Sequence, residues 1–325
     1  MSLAIKLLIS AALVTGIVWM LGGVEELLRI MSGMDPGYVL LVLAVSTVDR
    51  ALMTFKWTWL LKNRGIMLPF FKGMKIYCAS MVWSSFLPST IGSDVIRAIC
   101  TSRAGLDYRE VVASIVIERL IGFLSALLLG LLGVVLLSQL TSFGDQLQSV
   151  LWIGGATLFA ATMLFAASLS HGPYDFLYDK LLRRLRHTRI LQRMRDIHTT
   201  YLGYERGRVE LAKFFGMTFA EQLLAIVYAW LIAKGLGIDV GLLYIAGALP
   251  LALLVSRLPV SIDGLGVFEG VFILLMSLVG VSPEGAVAIA LIGRILQVVS
   301  WLPWWLGYVV ERGKLTRPTA DPGKP

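Results

Sequence analysis

Charge is scarce in this 325-residue chain, with 15% of residues charged against 57% apolar. A water-soluble domain carries about a quarter charged residues, whereas here the charges are confined to short stretches, which excludes a soluble globular domain. Cysteine is limited to Cys78 and Cys100, and histidine to His171, His187 and His198. The cysteines lack metal-ligand spacing and read as small apolar fillers. The histidines share one basic stretch without ligand-like neighbours and read as solvated or interfacial groups. No Walker, HExxH or GxSxG pattern occurs, so an ATP site or a hydrolase site has no basis here. No cofactor and no metal is expected. Transport by this chain alone would have to draw on an ion or substrate gradient.

What is present is hydrophobic length. The 25 residues between Arg119 and Asp145 carry no charge, nor do the 25 between Asp145 and His171. Each run is enough to cross a hydrocarbon core of about 30 Å as a helix. Leu7 to Val24 is a third uncharged run. No small-residue cleavage site follows it, so it reads as a first span and not a signal peptide. The net charge of +8 is not a sign of nucleic-acid binding, because in a membrane protein the position of Lys and Arg carries the information. They concentrate in Lys62 to Lys75, Arg97 to Arg109, Lys180 to Lys213 and Arg312 to Lys324, predicted to be cytoplasmic. Lys62, Arg64, Lys72 and Lys75 read as ordinary positive-inside anchors.

Threading the chain through these constraints predicts an all-α polytopic protein of the cytoplasmic (inner) membrane, with both termini cytoplasmic. One transmembrane domain covers 1–325. Spans fall at about 3–22, 38–61, 109–137, 150–169, 214–235 and 285–309, with hydrophobic excursions at about 73–104 and 241–280. The basic segment 171–213 reads as cytoplasmic and amphipathic, lying along the anionic inner leaflet. Trp301, Trp304 and Trp305 read as interface anchors.

The two excursions resemble each other. Leu87-Pro88-Ser89-Thr90-Ile91-Gly92-Ser93 matches Leu258-Pro259-Val260-Ser261-Ile262-Asp263-Gly264, and Gly105 stands 14 residues before Arg119 as Gly280 does before Arg294. Trp59 precedes Pro88 by 29 residues, as Trp230 precedes Pro259. The charge argument sends the helix at 38–61 inward and its counterpart at 214–235 outward. Two inverted halves follow, 38–137 and 214–310, each with a Pro/Gly-broken segment, re-entrant or paired, meeting near the midplane. Pro88, Gly92, Pro259, Gly264 and Gly266 mark the breaks. Such paired interruptions are the best sequence pointer to a transporter's binding site.

Ionisable residues at membrane depth cost about 2.5–3.5 kcal/mol each on insertion scales, so they usually face a cavity and act there. Asp49, Arg50, Lys56, Asp94, Arg97, Glu118 and Arg119 are the candidates in the first half. Glu221, Arg257, Asp263, Glu269 and Arg294 are those in the second, with Thr90 and Ser261 as polar neighbours at the breaks. Arg119 and Arg294 are equivalents in the repeat. An arginine fork suits a phosphate or phosphodiester head group, and the acids can neutralise the arginines in an empty site or carry a coupling proton. Glu118 and Arg119 also admit a reading as a structural ion pair.

The run Pro88-Ser89-Thr90-Ile91-Gly92-Ser93-Asp94-Val95-Ile96-Arg97, then Glu118-Arg119-Leu120, and Leu258 to Gly270 with Glu269 together resemble the lysylphosphatidylglycerol synthase transmembrane-region family of flippase-like proteins. Lys56-Trp57 matches a basic-Trp pair common in its second span. The chain departs from the family pattern at Ser93 and Phe268. The resemblance implies lipid flipping or transport without aminoacyl transfer, since the chain ends soon after its last predicted span. It implies an anionic phospholipid or a polyprenyl-phosphate-linked lipid as cargo, and a lipid-modifying enzyme as a partner. The rival readings are a non-transporting membrane subunit of a lipid-modifying or glycosyltransferase system, and an anion channel.

Overall fold

The computed structural model describes residues 24–84, 92–140, 144–169, 189–257 and 264–315. They form α1 (Val24–Ser32), α2 (Pro36–Lys62), α3 (Phe70–Ser84), α4 (Gly92–Arg103), α5 (Tyr108–Leu140) and α6 (Gly144–Ser168). These are followed by α7 (Arg189–Leu202), a 3-10 turn (Gly203–Gly207), α8 (Arg208–Gly235), α9 (Leu242–Ser256), α10 (Val267–Ser277) and α11 (Pro283–Leu315). No strand occurs among the described residues. Five helices, α2, α5, α6, α8 and α11, are long and apolar enough to cross a membrane. The predicted first span at 3–22 lies outside the described residues.

Local chemistry sets the helix ends. Asp35 accepts a 2.7 Å bond from Gly37 N while Pro36 opens α2, satisfying one amide and removing another at the N-terminus. After α4, Gly105 takes φ +86° and Leu106 N bonds Thr101 O at 3.2 Å; after α10, Gly280 takes φ +83° and Val281 N bonds Met276 O at 3.1 Å. Both are left-handed glycine stops. Asp107 and Ser282 then cap α5 and α11 through Arg109 N and Gly285 N, at 2.9 and 3.1 Å.

A series of lengths recurs. Helices α2 to α5 have 27, 15, 12 and 33 residues, and α8 to α11 have 28, 15, 11 and 33. Packing recurs with it: α2 lies against α8, α3 against α11, and α9 against α5. Helices α2 and α8 run antiparallel, because Asp35 N meets Gly235 O at 3.2 Å while Lys56 meets Glu221 at 2.6 Å. Within each series the first and last helices touch through a hydrogen bond from equivalent aromatic residues of the first, Trp57 and Tyr228. Trp57 Nε1 donates to Ser114 Oγ at 3.1 Å, and Tyr228 OH to Gly293 O at 2.5 Å. The hairpins α3–α4 and α9–α10 consist of helices no longer than 15 residues. At about 1.5 Å per residue each falls short of a bilayer core.

Backbones approach closely between α5 and α9, where a Cβ on Gly133 would stand 2.6 Å from Gly247 O. Gly133→Leu is therefore expected to cost about 1–3 kcal/mol or more through overpacking. A drop in melting temperature of the detergent-purified protein checks this.

One end of the molecule gathers bonded charges. Arg64 forks onto Glu110 with two 3.0 Å bonds, donates to Gly203 O at 3.2 Å and lies over the Tyr204 ring. The Glu110 bond pushes the Arg64 guanidinium above its ordinary range, and burial does the same to the Tyr204 hydroxyl. Lys75 pairs with Glu311, and Arg109 with Asp196. Arg64 and Lys75 thus tie helices together in addition to marking a basic end. Helix α8 begins at Arg208, six residues earlier than the predicted 214, because Arg208 to Lys213 offer good helix formers. One tryptophan is a correction. Trp301 is buried against Met74, Cys78 and Val82, so it fills the α3–α11 contact and does not face an interface, while the partly buried Trp305 meets the edge of Trp83.

Candidate functional site

Two acid–arginine pairs occupy equivalent places in the two series. Asp94 and Glu269 are the third residues of the short helices α4 and α10, and Arg119 and Arg294 the twelfth residues of the long helices α5 and α11. Each acid precedes its arginine by 25 residues. Arg119 forks onto Asp94 through Nε at 2.8 Å and Nη2 at 3.0 Å, and Arg294 Nη2 lies 3.2 Å from Glu269 Oε1. A carboxylate in the first turn of a helix is favoured by the helix dipole and the free amides there. Glu269 shows this directly, accepting Gly266 N at 2.6 Å. Twelve residues place each guanidinium about 17 Å along its helix, roughly half of a 30 Å core.

The first pair sits in a larger charged cluster. Arg97 Nη2 lies 2.8 Å from Glu118 Oε2 and 3.3 Å from Asp94 Oδ1, and its guanidinium stacks 4.7 Å from the Trp57 ring and 4.6 Å from the Tyr77 ring. Tyr77 OH donates to Glu118 Oε1 at 2.8 Å. In the second series the equivalents of Arg97 and Glu118 are Phe272 and Gly293. The pair recurs and the cluster does not. Glu118 and Arg119, adjacent in sequence, pair with different partners and not with each other.

A separate cavity of about 190 Å³ is bounded by α2, α5, α8, α9 and α11, with Asp49, Arg50, Glu221, Gln222, Arg257 and Gln297 on its polar side. Asp49 bonds Arg50, whose guanidinium also lies over the Trp301 ring. Glu221 accepts Lys56 Nζ at 2.6 Å, and Thr218 accepts it at 3.2 Å. Arg257 Nη1 and Gln222 Nε2 both donate to Gly122 O at 3.1 Å. Arg119 and Glu221 are the charged neighbours of Arg257.

The predicted residues Asp94, Arg97, Glu118 and Arg119 come together; Lys56 meets Glu221; Arg257 lines the cavity; Glu269 and Arg294 pair. Gly92 opens α4, and Gly264 and Gly266 turn into α10 with φ +69° and +79°. A Cβ at 264 would lie 2.8 Å from Ser256 Cβ, so only glycine fits there. Thr90, Ser261, Asp263, Pro88 and Pro259 fall outside the described residues. Tyr77, Gln222 and Gln297 join the site without having been predicted. The amides carried a readable signal, an isolated hydrogen-bonding group in an apolar helix.

The sequence matches the family model described as the lysylphosphatidylglycerol synthase TM region over residues 3–307. The chain belongs to this family. Among curated relatives it is 25% identical, over 293 residues and 85% of both chains, to a UPF0104 membrane protein of Methanothermobacter thermautotrophicus. It is 21% identical, over 304 residues and 88% of both chains, to a UPF0104 membrane protein of Methanocaldococcus jannaschii. A lysylphosphatidylglycerol synthase TM-region protein is an integral multi-pass membrane protein, and the five long apolar helices agree with that.

Proposed function

We propose that this protein moves a lipid with an anionic phosphate head group, an anionic phospholipid or a polyprenyl-phosphate-linked lipid, between the leaflets of the cytoplasmic membrane. The observation that carries the reading is the recurrence of one acid–arginine pair in each helix series, at the same positions of equivalent helices. The antiparallel packing of α2 and α8 supports two halves of opposite orientation, and the short hairpins support re-entrant segments entering from opposite sides. A phosphate competes with Asp94 or Glu269 for the same planar fork. The carboxylates therefore hold the arginines in place when no lipid is bound and yield them to the head group. The family description, the membrane region of a lysylphosphatidylglycerol synthase, agrees with a lipid as cargo. No residue is assigned a catalytic role.

In vesicles containing the purified protein, fluorescent phosphatidylglycerol or polyprenyl phosphate is expected to change leaflets faster than in protein-free vesicles. A diacylglycerol analogue without phosphate serves as control. Equal protein-dependent rates for the phosphate-bearing and phosphate-free probes would remove the arginine-based reading.

A further inference from the structure

The Lys56–Glu221 pair and the cavity beside it are not needed to hold a head group at Arg119 or Arg294. Among the described residues it is the ion pair that joins α2 to α8, the equivalent helices of the two series, at membrane depth. The Lys56 side chain is 2% exposed and that of Glu221 12%. Lys56 is held by Glu221, Thr218 and the Phe214 ring. Glu221 also faces the 190 Å³ cavity, which has room for about six waters at roughly 30 Å³ each. That volume is too small for a lipid and sufficient for a hydrated proton path. The charged groups around Glu221 are Lys56, Asp49 and Arg50 from α2 and Arg257 from the end of α9. The cavity linings from α5 and α11, Ala126, Leu129 and Gln297, are uncharged.

We infer that Glu221 is a proton-binding site that couples lipid movement to a proton gradient, with Lys56–Glu221 as the tie that protonation releases. This rests on the transport reading. A proton entering through the cavity adds to a Glu221 carboxylate oxygen. The neutral acid no longer holds Lys56 by charge, and Lys56 keeps its Thr218 and Phe214 contacts. With the tie released, α8 and its hairpin can shift against α2. Loss of the proton to the other side restores the pair. No bond other than O–H forms or breaks, and the proton gradient is the only co-reactant. Only α2 supplies the lysine, since the equivalent position in α8 is Val227, so a single site serves both halves.

Two measurements on the full chain in vesicles test this. In infrared titration, the wild-type-minus-variant difference should show one protonated-carboxyl band growing as pH falls, for Glu221→Gln and for the double variant Lys56→Met with Glu221→Gln. The double variant removes both charges, so no unpaired lysine is left to unfold the protein. With labelled phosphatidylglycerol, an imposed pH gradient should raise the wild-type rate several-fold and leave the double variant unchanged. A difference spectrum without that band, or a wild-type rate indifferent to the gradient while lipid still moves, would overturn the coupling and leave the transport reading standing. No lipid movement under any gradient would remove the transport reading and the coupling with it, and the infrared band would then judge the proton site alone.

Discussion

An Arg119→Gln protein is expected to insert and fold, yet to move lipid about 100-fold more slowly than wild type, since losing a charged partner from a fork costs about 2–5 kcal/mol of binding. Exposure decides why function suffers more than folding. The Arg119 side chain is 55% exposed, so it is open to a ligand and little packing is lost when it is shortened. Asp94 also keeps Arg97 at 3.3 Å when Arg119 is gone. Arg119→Lys retains the charge and loses the planar fork, and so should recover only part of the rate. Initial rates of leaflet exchange, read beside an unchanged melting temperature, check this.

A large loss of stability is expected from Glu269→Ala. Glu269 is fully buried, closes the turn at Gly266 through a 2.6 Å bond and pairs with Arg294 at 3.2 Å. Removing an N-terminal cap costs about 1 kcal/mol, and removing the buried partner of a charge costs up to about 3–5 kcal/mol. With Arg294 at 30% exposure the second figure is reduced, and a total of about 2–3 kcal/mol is expected. Glu269→Gln keeps an oxygen for Gly266 N and should lose about 1 kcal/mol less. Thermal unfolding of both variants in detergent tests the order.

The long helices were legible because uncharged length is a direct signature of a membrane span, and α2, α5, α6, α8 and α11 lie where hydropathy and Lys/Arg placement put them. The glycine turns into α10 at Gly264 and Gly266 were legible because glycine stands out in an apolar run, while Pro88 and Pro259 lie outside the described residues. The pairing inside the site was not. Pro88 matches Pro259 at an offset of 171 residues and Gly105 matches Gly280 at 175, so the second interruption is four residues longer. Matching Gly92 with Asp263 therefore hid the equivalence of Asp94 and Glu269, although the shared 25-residue spacing to the arginine was available. Lys56 and Glu221 stand 165 residues apart, and only the packing of α2 on α8 brings them together. Trp301 misled because an aromatic near a helix end fits a membrane interface and a helix–helix contact equally well.

The most direct measurement is the rate of leaflet exchange of labelled phosphatidylglycerol in vesicles holding equal amounts of folded wild type or of the Arg119→Gln, Arg294→Gln double variant. Exchange well above protein-free vesicles for wild type, falling to that background in the double variant, is the expected result. Equal exchange in the two proteins would contradict a role for the paired arginines in moving lipid.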